Sequence, residues 1–308
     1  MTILVAGATG LVGSAILREC KRAGKEAIGI SSKDLNLLDR NKTFKFFKEL
    51  KPTVVIDAAA KVGGIGGNNN YPVEFLSENI QIQSNLMDAA HASSVEKLVF
   101  LGSSCIYPRN CAQPIKEEYI LTGELEETNS AYAIAKIAGI ELVKSYRKEY
   151  GRNWISIMPT NLYGPNDNFN LQTSHVFPAL IRKFADAVQL NLNEVELWGT
   201  GEPLREFLHV DDLSTAIIVC LEKYESDQHI NIGSGVEISI KDLATKIARL
   251  SNFQGKIIWN SKLPDGTPRK VLDISKITNL GWEPRISLED GIRSTLSWYK
   301  KNQVALSV

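Results

Sequence analysis

The chain has 308 residues, enough for about two domains or one large α/β unit with a sizeable core. Its 35 Lys+Arg balance 35 Asp+Glu, so no overall field draws it to nucleic acid or to an anionic membrane. With 44% hydrophobic and 23% charged residues it has an ordinary globular composition, which excludes disorder, collagen and coiled coil.

Cys20, Cys105, Cys111 and Cys220 form no CxxC pair, and His91, His175, His209 and His229 show no HxxxH spacing. Neither a metal site nor a disulfide framework is expected. The opening MTILVAGATG has no basic flank and no long apolar stretch, and no run approaches the ~20 apolar residues of a membrane span. A reduced, cytoplasmic protein is expected.

In chain order, β-branched runs alternate with helical patterns. Strands are predicted at 2–6, 26–30, 53–57, 97–103 and 154–158, and helices near 11–23, 40–50, 72–92 and 130–150. Nearly continuous apolar strands separated by helices indicate a parallel sheet covered on both faces; right-handed crossovers make it a doubly wound α/β sheet. After about residue 160 the loops lengthen, and short strands at 194–198, 206–210 and 229–233 read as a smaller α/β lobe. The expected division is 1–165 for dinucleotide binding and 166–308 mainly for substrate, with 206–224 a candidate to rejoin the first domain. The Gly/Asn-rich GGIGGNNN at 63–70 reads as a functional loop at the carboxyl edge of the sheet.

Gly7, Gly10 and Gly13 form G-x-x-G-x-x-G between the first strand and the first helix. Such a turn brings backbone close to a pyrophosphate, and the helix N-terminus offers it free N–H groups. After the second strand, Ser31, Ser32 and Lys33 suit a ribose 2′-phosphate and favour NADP; Asp34 points the other way.

Tyr132 and Lys136 stand at i and i+4, on one face of a predicted helix. The ammonium is expected to lower the phenol's pKa and fit it to give a proton to a carbonyl as hydride arrives. Ser103, just past the preceding predicted strand, can bond the same oxygen.

With these residues the chain resembles the extended short-chain dehydrogenase/reductase superfamily. AAAKVGGIGGNNNYP (58–72), FLGSSCIYP (100–108), AYAIAKIAGIEL (131–142), MPTNLYGPNDNF (158–169), SHVFPALIRKF (174–184), LREFLHVDD (204–212) and LPDGTPRKVLD (263–273) narrow the resemblance to the GDP-L-fucose synthase family. It implies NADPH, a GDP-sugar substrate, a homodimer, and 3,5-epimerisation followed by 4-keto reduction. Reduction would fall to Ser103, Tyr132 and Lys136, and epimerisation to Cys105 and His175.

Cofactor contacts implied by the resemblance are Gly7, Ala8, Thr9, Gly10, Leu11, Val12 and Gly13, then Leu101, Gly102, Ser103 and Ser104, with Lys136, Pro159, Thr160, Asn161, Leu162 and His175. Sugar-nucleotide contacts would be Lys183, Trp198, Arg205 and Asp265. The chain departs from the family at Thr9, where a basic residue is common, and at Lys183 and Ser31 to Lys33, where arginine is common.

Alternatives for single residues remain. Cys105 reads also as a packed thiol, Arg205 as a partner of Glu206, and Asn161 as a turn residue. His209 reads as structural, with Asp211 and Asp212 as helix N-cap and first-turn acid. Alternative functions are reduction, with or without C5 inversion, of a related 3,6-dideoxy or heptose GDP-4-keto sugar, and non-catalytic nucleotide sensing.

Overall fold

The computed structural model describes residues 2–263 and 265–306, so Pro264 of the 263–273 block lies outside the described residues. The chain begins with β1 (Ile3–Ala6), α1 (Leu11–Arg22), β2 (Ala27–Ile30), α2 (Arg40–Leu50) and β3 (Val54–Asp57). It continues with α3 (Ile65–Asn70), α4 (Pro72–Ala92), β4 (Lys97–Leu101), α5 (Ser130–Tyr150) and β5 (Asn153–Pro159). Then follow β6 (Asn161–Tyr163), α6 (Val176–Gln189), β7 (Glu194–Trp198), β8 (Leu204–His209) and α7 (Val210–Lys223). The last elements are β9 (Ile230–Ile232), β10 (Glu237–Ser239), α8 (Ile240–Ser251), β11 (Lys256–Asn260), β12 (Arg269–Lys270), α9 (Ser275–Asn279) and α10 (Leu288–Leu306).

Six strands pair in the order β2-β1-β3-β4-β5-β9, every pair parallel. Because strand side chains alternate, Ile3 and Val5 face Ile16 and Cys20 of α1 and Leu213 and Ile217 of α7. Leu4 and Ala6 face Phe47 of α2, Leu86 of α4 and Ile140 of α5. Burial on both faces is why these strands read as unbroken apolar runs. From β1 the chain crosses to β2 on one side and then to β3 on the other. The crevice beyond the carboxyl ends of β1 and β3 is thus a topological switch point, where such sheets bind ligands.

One strand placement differs from the sequence reading. Residues 230–232, read with the smaller lobe, form the sixth strand of the large sheet, with Ile157 opposite Ile230. Helices α6 and α7 intervene in the chain between the two partners, and a pairing so distant leaves no local pattern. Helix α7 packs against α1, with Arg18 and Asp211 paired at 2.5 Å.

In the remaining part, β8 pairs antiparallel with β10 and parallel with β12 and β6, while β7 and β11 form a parallel pair. Phe177, Phe184, Leu197, Leu243, Ile247 and Ile292 make a third core there. Capping sets the helix starts: Asp39 accepts from the Lys42 N–H at α2, and Ser239 from the Asp242 N–H at α8. Among the described residues, no helix is long and apolar enough to cross a membrane.

Candidate active site

The glycine loop joins β1 to α1. Gly7 has φ +77°, and a Cβ there would lie 2.5 Å from the Ala58 carbonyl oxygen; at Gly13 a Cβ would lie 2.2 Å from the Gly7 oxygen. Both positions require glycine because backbone passes too close for any side chain. At Gly10 a Cβ would meet only the Gly7 oxygen, at 3.5 Å, and would stand in open space over the α1 N-terminus. No acidic residue occupies the first turn of α1, and its leading amides have no helical acceptor. These features fit the diphosphate of a dinucleotide. Ala8 and Thr9 form the turn, and Leu11, Val12 and Gly13 supply the amides.

At the end of β2, Ser31 is buried and its hydroxyl donates to Asp34 Oδ2 at 2.6 Å, while Ser32 and Lys33 are exposed. The hydroxyl read as a phosphate donor is therefore already engaged.

The end of β4 carries Leu101, Gly102, Ser103 and Ser104. Ser103 caps a single helical turn, its Oγ accepting from the Cys105 N–H at 3.4 Å, and so fixes Cys105 beside itself. Across from this turn, the start of α5 presents Tyr132 and Lys136. The Lys136 ammonium is buried, donates to the Leu101 carbonyl oxygen at 2.8 Å, and lies 4.8 Å from the Phe100 ring centre and 5.7 Å from that of Tyr132. Tyr132 meets Phe75 edge-on at 6.3 Å.

The electrostatics correct one expectation. Burial raises the Tyr132 phenol above its ordinary range, and the Cys105 sulfur adds to the rise. Lys136, held at the Leu101 carbonyl and itself lowered by burial, does not offset this. The phenol is accordingly a stable proton carrier. Burial also raises the Cys105 thiol, opposed first by Lys270, then by Ser103 and Lys136. His175 stands at the N-cap position of α6 without a side-chain capping bond; the residue keeps exposed surface, and desolvation by the surrounding protein lowers its imidazole.

Two charged residues of this site were not singled out from the sequence. Lys270, in β12, stands opposite Arg205 of β8, whose charge helps to lower it, and Lys270 itself acts on the Cys105 thiol. Only its place in the 263–273 block hinted at it. Asp57 ends β3, fully buried, with Oδ2 unpartnered and its carboxyl pushed up to about 6 by burial against the opposing pull of Lys136. An acid ending the apolar run TVVID was a visible signal.

The other candidates divide between open and engaged groups. Trp198 is 61% exposed at the end of β7. Lys183 Nζ donates to the Glu196 carbonyl oxygen at 2.7 Å. Asp265 clasps the 199–201 turn through the Thr200 N–H at 2.7 Å and hydroxyl at 2.8 Å. Arg205 does not pair with Glu206: successive strand residues face opposite ways, and Glu206 accepts from the Gly235 and Leu272 amides at 2.6 and 3.0 Å.

Asn161 donates to the Glu206 carbonyl oxygen at 2.9 Å, stitching β6 to β8 beside Leu162; Thr160 N–H and the Pro159–Ile232 register join β5 to β9. His209, not Asp211, caps α7, and its Nδ1 accepts from the Asp211 N–H at 3.2 Å. The 63–70 segment is partly helical, because Asn68 donates to the Gly63 and Gly64 carbonyl oxygens. With Lys61, Tyr71, Phe75 and Thr173 it borders a cavity of about 280 Å³.

The chain is similar to known proteins. Residues 3–233 match the NAD dependent epimerase/dehydratase family. A protein named putative GDP-L-fucose synthase 2 from Arabidopsis thaliana is 51% identical over 98% of this chain and 92% of its own. GDP-L-fucose synthase from Escherichia coli is 48% identical over 98% and 97%. The NADP-bound structure of a GDP-L-fucose synthetase from Naegleria fowleri superposes with a TM-score of 0.90 at 30% identity, covering 98% of this chain and 95% of that one.

Proposed function

The chain belongs to the NAD dependent epimerase/dehydratase family, and from that membership we propose that it converts GDP-4-dehydro-6-deoxy-D-mannose to GDP-L-fucose. It inverts C3 and C5 and reduces the C4 ketone with NADPH. The observation that carries the reading is the gathering of Ser103, Cys105, Tyr132 and Lys136 at the carboxyl end of β4. There the Cys105 sulfur acts electrostatically on both Tyr132 and Lys136.

A C4 ketone acidifies the protons on C3 and C5, since each carbanion delocalises into an enolate. The Ser103 and Tyr132 hydroxyls donate to the ketone oxygen and stabilise that enolate. Of the Cys105 thiol and the His175 imidazole, one removes a proton and the other returns one to the opposite face. The same two hydroxyls then hold the oxygen during reduction. Tyr132 stays protonated, so it gives its proton to O4, with the Lys136 ammonium over its ring at 5.7 Å. When bound, NADPH supplies the hydride to C4.

Arg205 and Lys270 face the sugar-nucleotide diphosphate, with Lys183 and Trp198 further along it and Asp265 fixing the 199–201 turn. The 1–165 segment, together with α7 and β9, holds the dinucleotide, and most of 166–308 holds the GDP-sugar. The protein acts in the cytoplasm as a homodimer joined through α4 and α5, a reading supported by exposed Val73, Ile80 and Ile134 on those helices.

The test is product analysis by NMR with the keto sugar and NADPH in deuterium oxide. GDP-L-fucose carrying deuterium at C3 and C5 is expected. Cys105→Ser should stop deuterium entry while ketone reduction persists. Absence of turnover would refute the function, and deuterium entry at the wild-type rate would refute the role of Cys105.

A further inference from the structure

Asp57 takes no part in the mechanism above, yet it is a carboxyl group buried at the end of β3. It stands opposite Phe100 in the register of β3 with β4. Strand side chains alternate, so Asp57 points as Val55 does, to the side where Phe100 packs with α4 and α5. Its Oδ1 accepts the Ala59 N–H at 3.2 Å, which fixes the carboxyl, while Oδ2 has no hydrogen-bond partner among the described residues.

The Lys136 ammonium occupies the same side of the sheet, 4.8 Å from the Phe100 ring centre. It is buried, and its one hydrogen-bond acceptor among the described residues is the Leu101 carbonyl oxygen, so two of its three N–H groups are unmet. An ammonium buried against a single neutral oxygen is costly to keep charged. The groups that face it are few. The turn after β4 brings Cys105, its own helix brings Tyr132, and α4 brings the neutral Gln83, whose amide donates to the Ala135 carbonyl oxygen at 2.7 Å. Burial raises both the Cys105 thiol and the Tyr132 phenol, so neither supplies a negative charge near neutral pH. Asp57 does: its carboxyl, pushed up to about 6, is ionised at pH 7.5, and it acts on Lys136 as Lys136 acts on it.

We propose that Asp57 is a positioning residue for the reduction, the counter-charge that holds the Lys136 ammonium in place beside Tyr132. The proposal rests on the reading of Tyr132 and Lys136 as part of the reducing site. As Tyr132 passes its proton to the sugar, negative charge develops on its oxygen, and the cation over its ring acts on that charge only while protonated.

Asp57→Asn keeps an acceptor for the Ala59 N–H and removes only the charge. NMR of the full chain, isotope-labelled at lysine Cε, reads the effect without turnover; the Lys136 signal is the one lost in Lys136→Met. Its titration should move to lower pH in Asp57→Asn, and an unmoved titration overturns the proposal. With the keto sugar and NADPH, the ratio of wild-type to variant reduction rate should widen about tenfold between pH 6 and pH 9, because the variant sheds its ammonium at the lower pH. Cys105 titrates in both proteins and cancels in the ratio. A merely structural defect lowers the rate by one factor throughout, and a ratio constant over that range also overturns the proposal. If neither protein turns over the sugar, the reductase reading fails, and the lysine titration alone decides whether Asp57 is the counter-charge.

Discussion

Lys270 provides the sharpest test of the site's electrostatics. Replacing it with Gln removes the largest influence that opposes the burial penalty on the Cys105 thiol. Water partly screens the half-buried Lys270, so its removal costs the thiolate towards the weaker end of what an adjacent opposite charge contributes. The thiolate fraction near neutral pH should then fall about tenfold. A more basic thiolate is also a better nucleophile, by about threefold for such a change at a Brønsted slope of 0.4–0.5. The net expectation is a drop of about threefold in iodoacetamide alkylation of Cys105 at pH 7.5.

The assay needs a Cys111→Ser background, because Cys111 is half-buried and also feels Lys270. Cys20 and Cys220 are buried, Cys220 being pushed up to about 12. Deuterium exchange at C3 and C5 should slow in parallel. An alkylation profile unchanged from pH 6 to 10 would refute the coupling, and with it the placement of Lys270 beside the thiol.

Tyr132→Phe keeps the ring against Phe75 but removes the proton donor; ketone reduction measured by NADPH absorbance should fall about 10²–10⁴-fold, and full retention would remove Tyr132 from the mechanism. His229 is buried against Tyr107, its Nε2 2.9 Å from that hydroxyl, and its pKa is lowered from 6.5 to about 4. A depressed histidine stabilises the fold above 6.5 and loses that contribution as pH falls towards 4, about 3 kcal/mol for some 2.5 units at 1.36 kcal/mol each. Urea unfolding of His229→Gln should lack that part of the acid slope, and an identical slope would contradict the assignment. Gly10→Ala should leave the thermal midpoint nearly unchanged while weakening dinucleotide binding at least tenfold, because the added Cβ enters the diphosphate's space; Gly13→Ala should instead cost about 1–3 kcal/mol of stability by overpacking.

The sequence by itself determined the elements of the large sheet up to β5. Each strand is apolar on both faces and each helix amphipathic, and those patterns are local, so ranges such as 40–50, 72–92 and 130–150 coincide with the helices formed. The candidate reacting groups were legible too: Ser103, Tyr132 and Lys136 through positions that one strand end and one helix turn can hold together, and Cys105 through the family resemblance. What only the tertiary structure decided came from pairings far apart in the chain. Strand β9 joined β5 across two intervening helices, and β12 brought Lys270 beside Arg205 from the far side of α7 and α8. Burial likewise settled the ionisation. A Tyr–Lys pair on a helix face predicts a lowered phenol in water, but desolvation of Tyr132 outweighs a lysine already bound to the Leu101 carbonyl. Proton affinity depends on every neighbour within several ångströms, and most of those neighbours arrive from elsewhere in the chain.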